Sequence, residues 1–282
     1  MKIGVVGAGT MGRGIAQVTA FNGHDVCLLD LNEALLDAAF IRIQNSLKKR
    51  VYDREVINSD SVIKKTLDRI SLGREIDALL DSDFVIEAVP EDLSLKKNIF
   101  HELDQICSSK TVLASNTSSI LISKLASCTR RTDMVIGMHF MNPAPIMRLL
   151  EIVRSVDRSD ITLTRPKELE VSLKKIPVEV KDSPGFVSNR ILMPMLNEAM
   201  FAVMEGVARN EDIDKVMKLG MNQPLGPLEL ADLIGLDVCL SIMDMLYEGF
   251  QDSKYRACPL LREMVAVDRL GRKTGHGFYS YS

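Results

Sequence analysis

The feature that most constrains the fold is a glycine-rich turn near the start of the chain, Gly7-Ala-Gly-Thr-Met-Gly12, which has the spacing G-x-G-x-x-G. A short apolar run at residues 3–6 leads directly into this turn, and a helical pattern of apolar residues follows it. A second apolar run, at residues 26–29, ends at Asp30. This order predicts a strand–turn–helix–strand unit that binds a dinucleotide.

Each glycine of the turn has its own predicted role. Gly7 permits the tight turn, Gly9 lets the backbone approach the pyrophosphate, and Gly12 lets the helix pack closely against the strand. The phosphates are then expected at the helix N-terminus, beside Thr10 and Met11, where unpaired N–H groups and the helix dipole favour negative charge.

The acidic residue at the end of the second apolar run bears on the choice of cofactor. Asp30 is placed to accept the ribose hydroxyls, and its charge would repel a 2′-phosphate. The sequence therefore favours NAD as the cofactor, without excluding NADP.

Length and charge narrow the class of protein. With 282 residues, the chain approaches the size at which one hydrophobic core stops growing, so we expect two domains. A net charge of −3 gives no reason to expect nucleic acid or a membrane surface as a partner. No apolar run reaches the length of a membrane span.

The five cysteines indicate a reducing compartment. Their number is odd and they show no paired spacing, which argues against a disulfide framework or a zinc site, and we expect no metal. The nucleotide-binding strand occupies the N-terminus, where a signal peptide would lie. We therefore expect a cytoplasmic protein.

The two parts of the chain differ in periodicity. In the first part, strand-like runs at residues 84–89, 111–114 and 135–138 alternate with helical patterns, which predicts an α/β, Rossmann-like, doubly wound parallel sheet. Residues 33–50 and a polar stretch at 52–69 are expected to form a helical excursion from this sheet.

The second part reads as helices only. The predicted helices lie at residues 187–205, 211–219, 227–250 and 258–270. We place the domains at 1–182 and 183–282, the second being all-α. It carries two apolar stripes, one along residues 193–204 and one along 228–240, which are expected to form a helix core. So much apolar surface in a small domain also indicates a homodimer or higher homo-oligomer formed through it.

Polar residues follow each predicted strand of the first domain. Glu91 and Lys96 follow one strand, residues 115–119 (Ser-Asn-Thr-Ser-Ser) follow the next, and His139 follows the third. Ligands of open α/β sheets lie beyond the carboxyl ends of the strands, so His139 is a candidate acid/base.

Glu151 is a candidate partner for that histidine. A base that alternates between charged and neutral forms benefits from a carboxylate on its other nitrogen. Glu151 lies in an apolar run, and Pro143 and Pro145 could turn the chain so that the two residues meet. The residues themselves leave open the alternative that Glu151 is exposed on an edge strand.

Four segments in the same order resemble the L-3-hydroxyacyl-CoA dehydrogenases, with short-chain bacterial members as the nearest likeness. They are residues 7–12, residues 114–119 (Ala-Ser-Asn-Thr-Ser-Ser), residues 139–145 (His-Phe-Met-Asn-Pro-Ala-Pro) and residues 184–190 (Pro-Gly-Phe-Val-Ser-Asn-Arg). The resemblance covers essentially the whole chain.

This resemblance implies a role for each candidate residue. His139 would be the general acid/base, Glu151 would orient it, and Ser118 and Asn189 would hydrogen-bond the reacting oxygen and the histidine region. The implied cofactor contacts are Glu91, Lys96, Asn116, Ser118, Asn142 and Lys273, of which Ser118 and Asn142 would also meet the substrate. Ser46 and Lys49, on the helical excursion, would meet coenzyme A.

The implied reaction is the reversible oxidation of an (S)-3-hydroxyacyl-CoA, short-chain substrates such as 3-hydroxybutyryl-CoA being favoured, to the 3-ketoacyl-CoA with NAD⁺. Two alternatives remain open. A 3-hydroxyisobutyrate-type dehydrogenase would use a lysine base on the helical domain, and the helix after Pro184 offers none in its first turns. A nucleotide-binding relative without turnover would not need the residue set above.

Overall fold

The computed structural model of the protein describes residues 1–52, 59–154 and 167–281. They divide into two compact units, Met1–Asp182 and Ser183–Ser282. Each unit has its own cluster of buried apolar side chains.

The described part of the first unit contains one eight-stranded sheet in the order β3-β2-β1-β4-β5-β6-β7-β8. The strands are β1 (Lys2–Val6), β2 (Asp25–Leu29), β3 (Ile70–Gly73), β4 (Phe84–Glu87), β5 (Val112–Ser115), β6 (Val135–Phe140), β7 (Leu149–Arg154) and β8 (Ile176–Lys181). The strand order reverses between β1 and β4, which makes their carboxyl ends the ligand-binding edge expected of such a sheet.

The sheet departs from the predicted parallel arrangement at one side. The six strands β1 to β6 are all parallel to one another. In contrast, β7 is antiparallel to β6, and β8 is parallel to β7. The cause is the short connection at residues 141–148, because a parallel crossover needs about a dozen residues or more. The reversal makes β7 an immediate neighbour of the strand that carries His139.

The first unit includes the helices α1 (Thr10–Phe21), α2 (Glu33–Tyr52), α3 (Ser59–Leu67), α4 (Leu93–Ile106) and α5 (Ile122–Ala126), and residues 167–172 are also helical. α2 and α3 form the predicted helical excursion, whose residues 53–58 lie outside the described residues. Strands β1, β4 and β5 are buried almost completely, since helices cover both faces of a parallel sheet.

The helices of the second unit are α6 (Ser188–Met204), α7 (Asn210–Gly220), α8 (Pro227–Ile234), α9 (Leu236–Phe250) and α10 (Pro259–Ala266). The single helix predicted at 227–250 is therefore two helices. They are separated at Gly235, whose φ of 105° lies outside the helical range.

Both apolar stripes predicted for the second unit contribute to its core. Met193, Leu196, Met200 and Leu228 are buried there, whereas Met204 at the end of its stripe is 43% exposed. Among the residues that the structure describes, no helix is long and apolar enough to cross a membrane.

Candidate active site

The glycine turn connects β1 to α1 and has the close contacts that its sequence predicts. Gly7 has a φ of +102°, and its N–H donates to the carbonyl of Leu29 at 2.7 Å. A Cβ on Gly12 would lie 1.7 Å from the carbonyl oxygen of Gly7, so only glycine allows this helix to pack against the turn. A Cβ on Gly9, in contrast, would meet no atom within 4 Å.

This geometry fits a dinucleotide. The surface above Gly9 is open, so a phosphate can approach the backbone there, and α1 begins at the exposed Thr10 with its N-terminus at the turn. Met11 is half-buried and packs against the core, so a contact from it would come from the backbone. The residues expected to hold the pyrophosphate of NAD are thus together at the carboxyl end of β1.

Asp30 follows β2 and is joined to the glycine turn. One oxygen of its carboxylate accepts a hydrogen bond from the Ala8 N–H at 2.8 Å, and the other accepts one from the Asn32 N–H at 3.0 Å. The carboxylate is half-buried and lies at the predicted position, beyond the end of the second strand. It therefore has both a structural contact and the charge expected to select against a 2′-phosphate.

His139 and Glu151 are paired across neighbouring strands. They are directly opposite in the antiparallel register of β6 and β7, and Nδ1 of His139 lies 2.8 Å from Oε2 of Glu151. His139 is one residue inside the end of β6, which is two residues longer than predicted. Glu151 is only 2% exposed and has strands on both sides, so the alternative of an exposed edge-strand glutamate is wrong.

The loop after His139 is attached to the rest of the unit by a buried lysine. Nζ of Lys175 donates to the carbonyls of Ala144 at 2.5 Å and Met147 at 2.6 Å. Asn142, a predicted cofactor and substrate contact, is exposed in this loop. The sequence analysis missed Lys175, because nothing in its sequence context distinguishes it from the surface lysines around it.

Asn116 connects the ends of two strands. Its N–H donates to the carbonyl of Glu87 at 2.8 Å, and its side-chain oxygen accepts a hydrogen bond from the Phe140 N–H at 2.9 Å. The predicted cofactor contact therefore also fixes the backbone beside His139.

Lys96 is placed differently from a surface phosphate ligand. It is 1% exposed, and its ammonium lies 2.7 Å from Oε1 of Glu87 and 3.1 Å from Oε2 of Glu91. In this structure it supports Glu91 rather than presenting its charge to solvent. A contact between Lys96 and the cofactor stays a prediction.

Glu91 organises the loop that carries Ser118. Its Oε1 accepts hydrogen bonds from the hydroxyls of Thr117 and Ser119, and from the backbone N–H groups of Ser118 at 3.3 Å and Ser119 at 3.1 Å. Burial disfavours the charged form of Glu91, but the ammonium of Lys96 and the hydroxyls of Ser119 and Thr117 outweigh it and lower the pKa of this carboxyl. The half-buried Ser118 is thus held at the carboxyl end of β5.

The sequence analysis missed Glu87, a carboxylate that is buried like that of Glu151. It is the last residue of β4, it is fully buried, and it accepts hydrogen bonds from Lys96, the Ser115 hydroxyl at 2.6 Å and the Val89 N–H at 2.8 Å. Burial raises its pKa, and the ammonium of Lys96 opposes that rise. The available signal was a charged residue inside an otherwise apolar strand.

The remaining predicted residues lie on other elements. Ser46 and Lys49 are exposed on α2, as expected for residues that contact a ligand outside the sheet. Asn189 and Lys273 belong to the second unit. Asn189 is buried in the first turn of α6, and Lys273, near the chain end, forms an ion pair with Asp237. The roles implied for these four residues stay predictions.

Two family profiles together match nearly all of the chain. Residues 2–183 match the NAD binding domain of 3-hydroxyacyl-CoA dehydrogenase, and residues 185–281 match its C-terminal domain. The chain is 47% identical over 282 residues to a 3-hydroxybutyryl-CoA dehydrogenase of Clostridioides difficile, with 100% of both chains covered. It is also 47% identical to one of Bradyrhizobium diazoefficiens, covering 99% of this chain and 95% of the relative.

A solved structure agrees with these relatives. The crystal structure of (S)-3-hydroxybutyryl-CoA dehydrogenase from Ralstonia eutropha superimposes with a TM-score of 0.95 at 47% identity, covering 100% of this chain and 99% of that one. With the glycine turn, the acidic residue after β2 and the full-length agreement of both domains, the chain belongs to the NAD-dependent 3-hydroxyacyl-CoA dehydrogenase family.

Proposed function

We propose that this chain interconverts (S)-3-hydroxybutyryl-CoA and acetoacetyl-CoA with NAD(H). The observation that carries the proposal is the His139–Glu151 pair, which lies at the same edge of the sheet as the glycine turn because β6 is parallel to the strands from β1 to β5. The relatives named above support the short acyl chain.

His139 is the acid/base in this proposal. In the oxidative direction its neutral imidazole accepts the proton of the substrate hydroxyl at Nε2, because Nδ1 is bonded to Glu151. Bound NAD⁺ supplies the acceptor for the hydride that leaves C3. The Glu151 carboxylate then stabilises the imidazolium, and in the reverse direction the same imidazolium returns the proton.

Other residues bind and orient the reactants in this proposal. Ser118 and Asn189 hydrogen-bond the reacting oxygen and the histidine region, and Asn142 contacts the substrate or the nicotinamide edge. Ser46 and Lys49 meet coenzyme A; both are exposed on α2, and an ammonium on that surface suits its phosphates.

We also propose that the protein is a cytoplasmic homodimer formed through its second unit. All five cysteines are free, which fits a reducing compartment. Three exposed apolar side chains lie close together on and just after α7: Val216, Leu219 and Met221 are 60%, 77% and 64% exposed. Single apolar residues are common on the surface of a monomer, but a cluster of them indicates an interface. Size-exclusion chromatography with light scattering tests the dimer, and a monomer at micromolar concentration would contradict it.

The test of the function is NADH oxidation with acetoacetyl-CoA. We expect turnover by the natural protein and a kcat lower by about 10²- to 10⁴-fold for His139→Gln. The exposed His101 provides a matched control, and His101→Gln should leave kcat unchanged.

Two outcomes would contradict the proposal. No turnover by a protein that binds NADH would indicate a nucleotide-binding relative without activity. Faster oxidation of free 3-hydroxyisobutyrate than of the coenzyme A ester would indicate the other dehydrogenase class.

A further inference from the structure

A charged triad with two buried members lies beside the glycine turn. It consists of Glu87, Lys96 and Glu91, with the ammonium of Lys96 between the two carboxylates at 2.7 Å and 3.1 Å. Glu87 and Lys96 are 0% and 1% exposed, and the Glu91 side chain is 38% exposed. Two carboxylates and one ammonium leave one net negative charge on the triad.

The hydrogen bonds of Glu87 suit an ionised carboxylate. The three groups that contact its oxygens are an ammonium, a hydroxyl and a backbone N–H, and each can donate. An ionised carboxylate only accepts hydrogen bonds, so this environment matches it. The ammonium of Lys96 also offsets the cost of burying its charge.

The position of the triad relates it to one end of the cofactor. Asp30, after β2, is expected at the adenosine ribose, and the pyrophosphate at the glycine turn after β1. The second nucleoside then extends to the other side of β1, over the ends of β4 and β5. Glu87 ends β4 there, and the next residue, Ala88, donates its N–H to the carbonyl of Val6 at 2.7 Å.

That second nucleoside carries nicotinamide, whose ring has a positive charge in NAD⁺ and none in NADH. We propose that Glu87 is a specificity-determining residue which, through the net negative charge of the Glu87–Lys96–Glu91 triad, strengthens binding of NAD⁺ relative to NADH. The inference rests on the NAD(H) binding assumed in the proposed function, but it does not depend on turnover of any acyl-CoA.

The test measures the dissociation constants of both cofactor forms in Glu87→Gln. The amide keeps the size of the side chain and removes its charge, so the ratio Kd(NAD⁺)/Kd(NADH) should rise about fivefold relative to the natural protein. Binding of NADH is followed by the fluorescence of NADH itself, to which the chain adds no tryptophan signal. Binding of NAD⁺ is measured by its displacement of bound NADH. A purely structural role would weaken both forms by the same factor, and that result would overturn the inference.

Two controls separate charge from geometry. Glu87→Asp keeps the charge and should keep the ratio within about twofold, so a rise like that of Glu87→Gln would also overturn the inference. Asp104→Asn removes a buried carboxylate from the far part of α4, about 12 Å along the helix from Lys96. Its ratio should not change.

If Glu87→Gln does not fold, Glu91→Gln removes one charge from the exposed end of the triad. Loss of a predicted cofactor contact should weaken both forms, but NAD⁺ more than NADH. Equal weakening would overturn the inference. If the natural protein does not turn over acetoacetyl-CoA but Glu87→Gln shifts the ratio as expected, the proposed function is contradicted and this inference stands.

Discussion

Nδ1 of His139 and Oε2 of Glu151 lie 2.8 Å apart, across the one antiparallel strand pair of the described sheet. Glu151 is 2% exposed, and burial of a carboxylate is costly unless a partner compensates it. A neutral imidazole compensates the burial of this carboxylate only by a hydrogen bond, whereas an imidazolium also neutralises the charge of the carboxylate. In the proposed mechanism the Glu151 carboxylate therefore stabilises the imidazolium that forms when His139 takes the proton of the substrate hydroxyl.

This pairing predicts a loss of turnover in Glu151→Gln. The amide can keep a hydrogen bond to Nδ1, but it cannot stabilise the imidazolium, so kcat should fall about 10²- to 10⁴-fold with little change in the KM for NADH. Steady-state NADH oxidation with acetoacetyl-CoA measures both constants. Glu102→Gln, on the exposed face of α4, serves as the control and should match the natural protein. A Glu151→Gln variant with unchanged kcat would refute the assigned role.

Asp30→Asn should relax the preference for NADH over NADPH. Asparagine retains an oxygen that can accept the Ala8 N–H, so the contact with the glycine turn can survive while the charge is lost. The ratio of kcat/KM with NADPH to that with NADH should rise about tenfold. Asp25→Asn, at the opposite end of the same strand, should leave this ratio unchanged. An unchanged ratio in Asp30→Asn would mean that its charge does not select the cofactor.

Two glycines of the turn should separate cofactor binding from stability. A Cβ on Gly9 meets no atom within 4 Å, so Gly9→Ala should keep the Tm of the natural protein while its Kd for NADH rises at least about tenfold. A Cβ on Gly12 would lie 1.7 Å from a carbonyl oxygen, so Gly12→Ala should lower the free energy of unfolding by about 3 kcal/mol or more. Thermal melts and NADH titrations of both variants measure these effects. A Gly9→Ala protein that binds NADH normally would contradict the close approach of a phosphate.

Local signals were sufficient for much of the fold and for part of the site. The glycine turn, the apolar runs and the helical periodicity predicted β1, β2, β4, β5 and β6 within a few residues, and most helices of the second unit. Strands β3, β7 and β8 were not predicted. Strand-end positions also identified His139, because a ligand at the carboxyl edge of a sheet requires polar residues there. The pairing with Glu151 could be proposed from the apolar context of the glutamate and the two prolines before it.

The features that were missed depend on contacts between distant segments. The antiparallel β7 follows from the length of a connection whose end could not be located in the sequence. The burial of Lys96 depends on Glu87, nine residues earlier, and on Glu91, and lysine alone gives no sign of it. Gly235 interrupts what reads in the sequence as one continuous helix. This break was missed because glycine can also occur inside a helix, where tertiary packing decides its effect.

The second unit offers a prediction about stability and pH. The hydroxyl of Tyr279 donates to the buried carboxylate of Asp214 at 2.8 Å, and the same carboxylate accepts the N–H groups of Leu228 and Glu229 at the start of α8. Through Asp214, Tyr279 thus attaches the C-terminal segment to the helix core. Tyr279→Phe should lower the free energy of unfolding by about 1–2 kcal/mol at pH 7.

The size of this effect should depend on pH in a defined direction. Burial, together with Asp214, raises the pKa of Tyr279 in the folded protein. The contribution is therefore complete below the pKa of an unfolded tyrosine, about 10, and is lost as the pH rises beyond it. Urea unfolding at pH 7 and pH 10.5 should show a smaller difference between Tyr279→Phe and the natural protein at the higher pH. Tyr247→Phe, on a 44% exposed residue, should show no difference at either pH. A Tyr279→Phe difference that grows with pH would contradict the protonated hydrogen bond to Asp214.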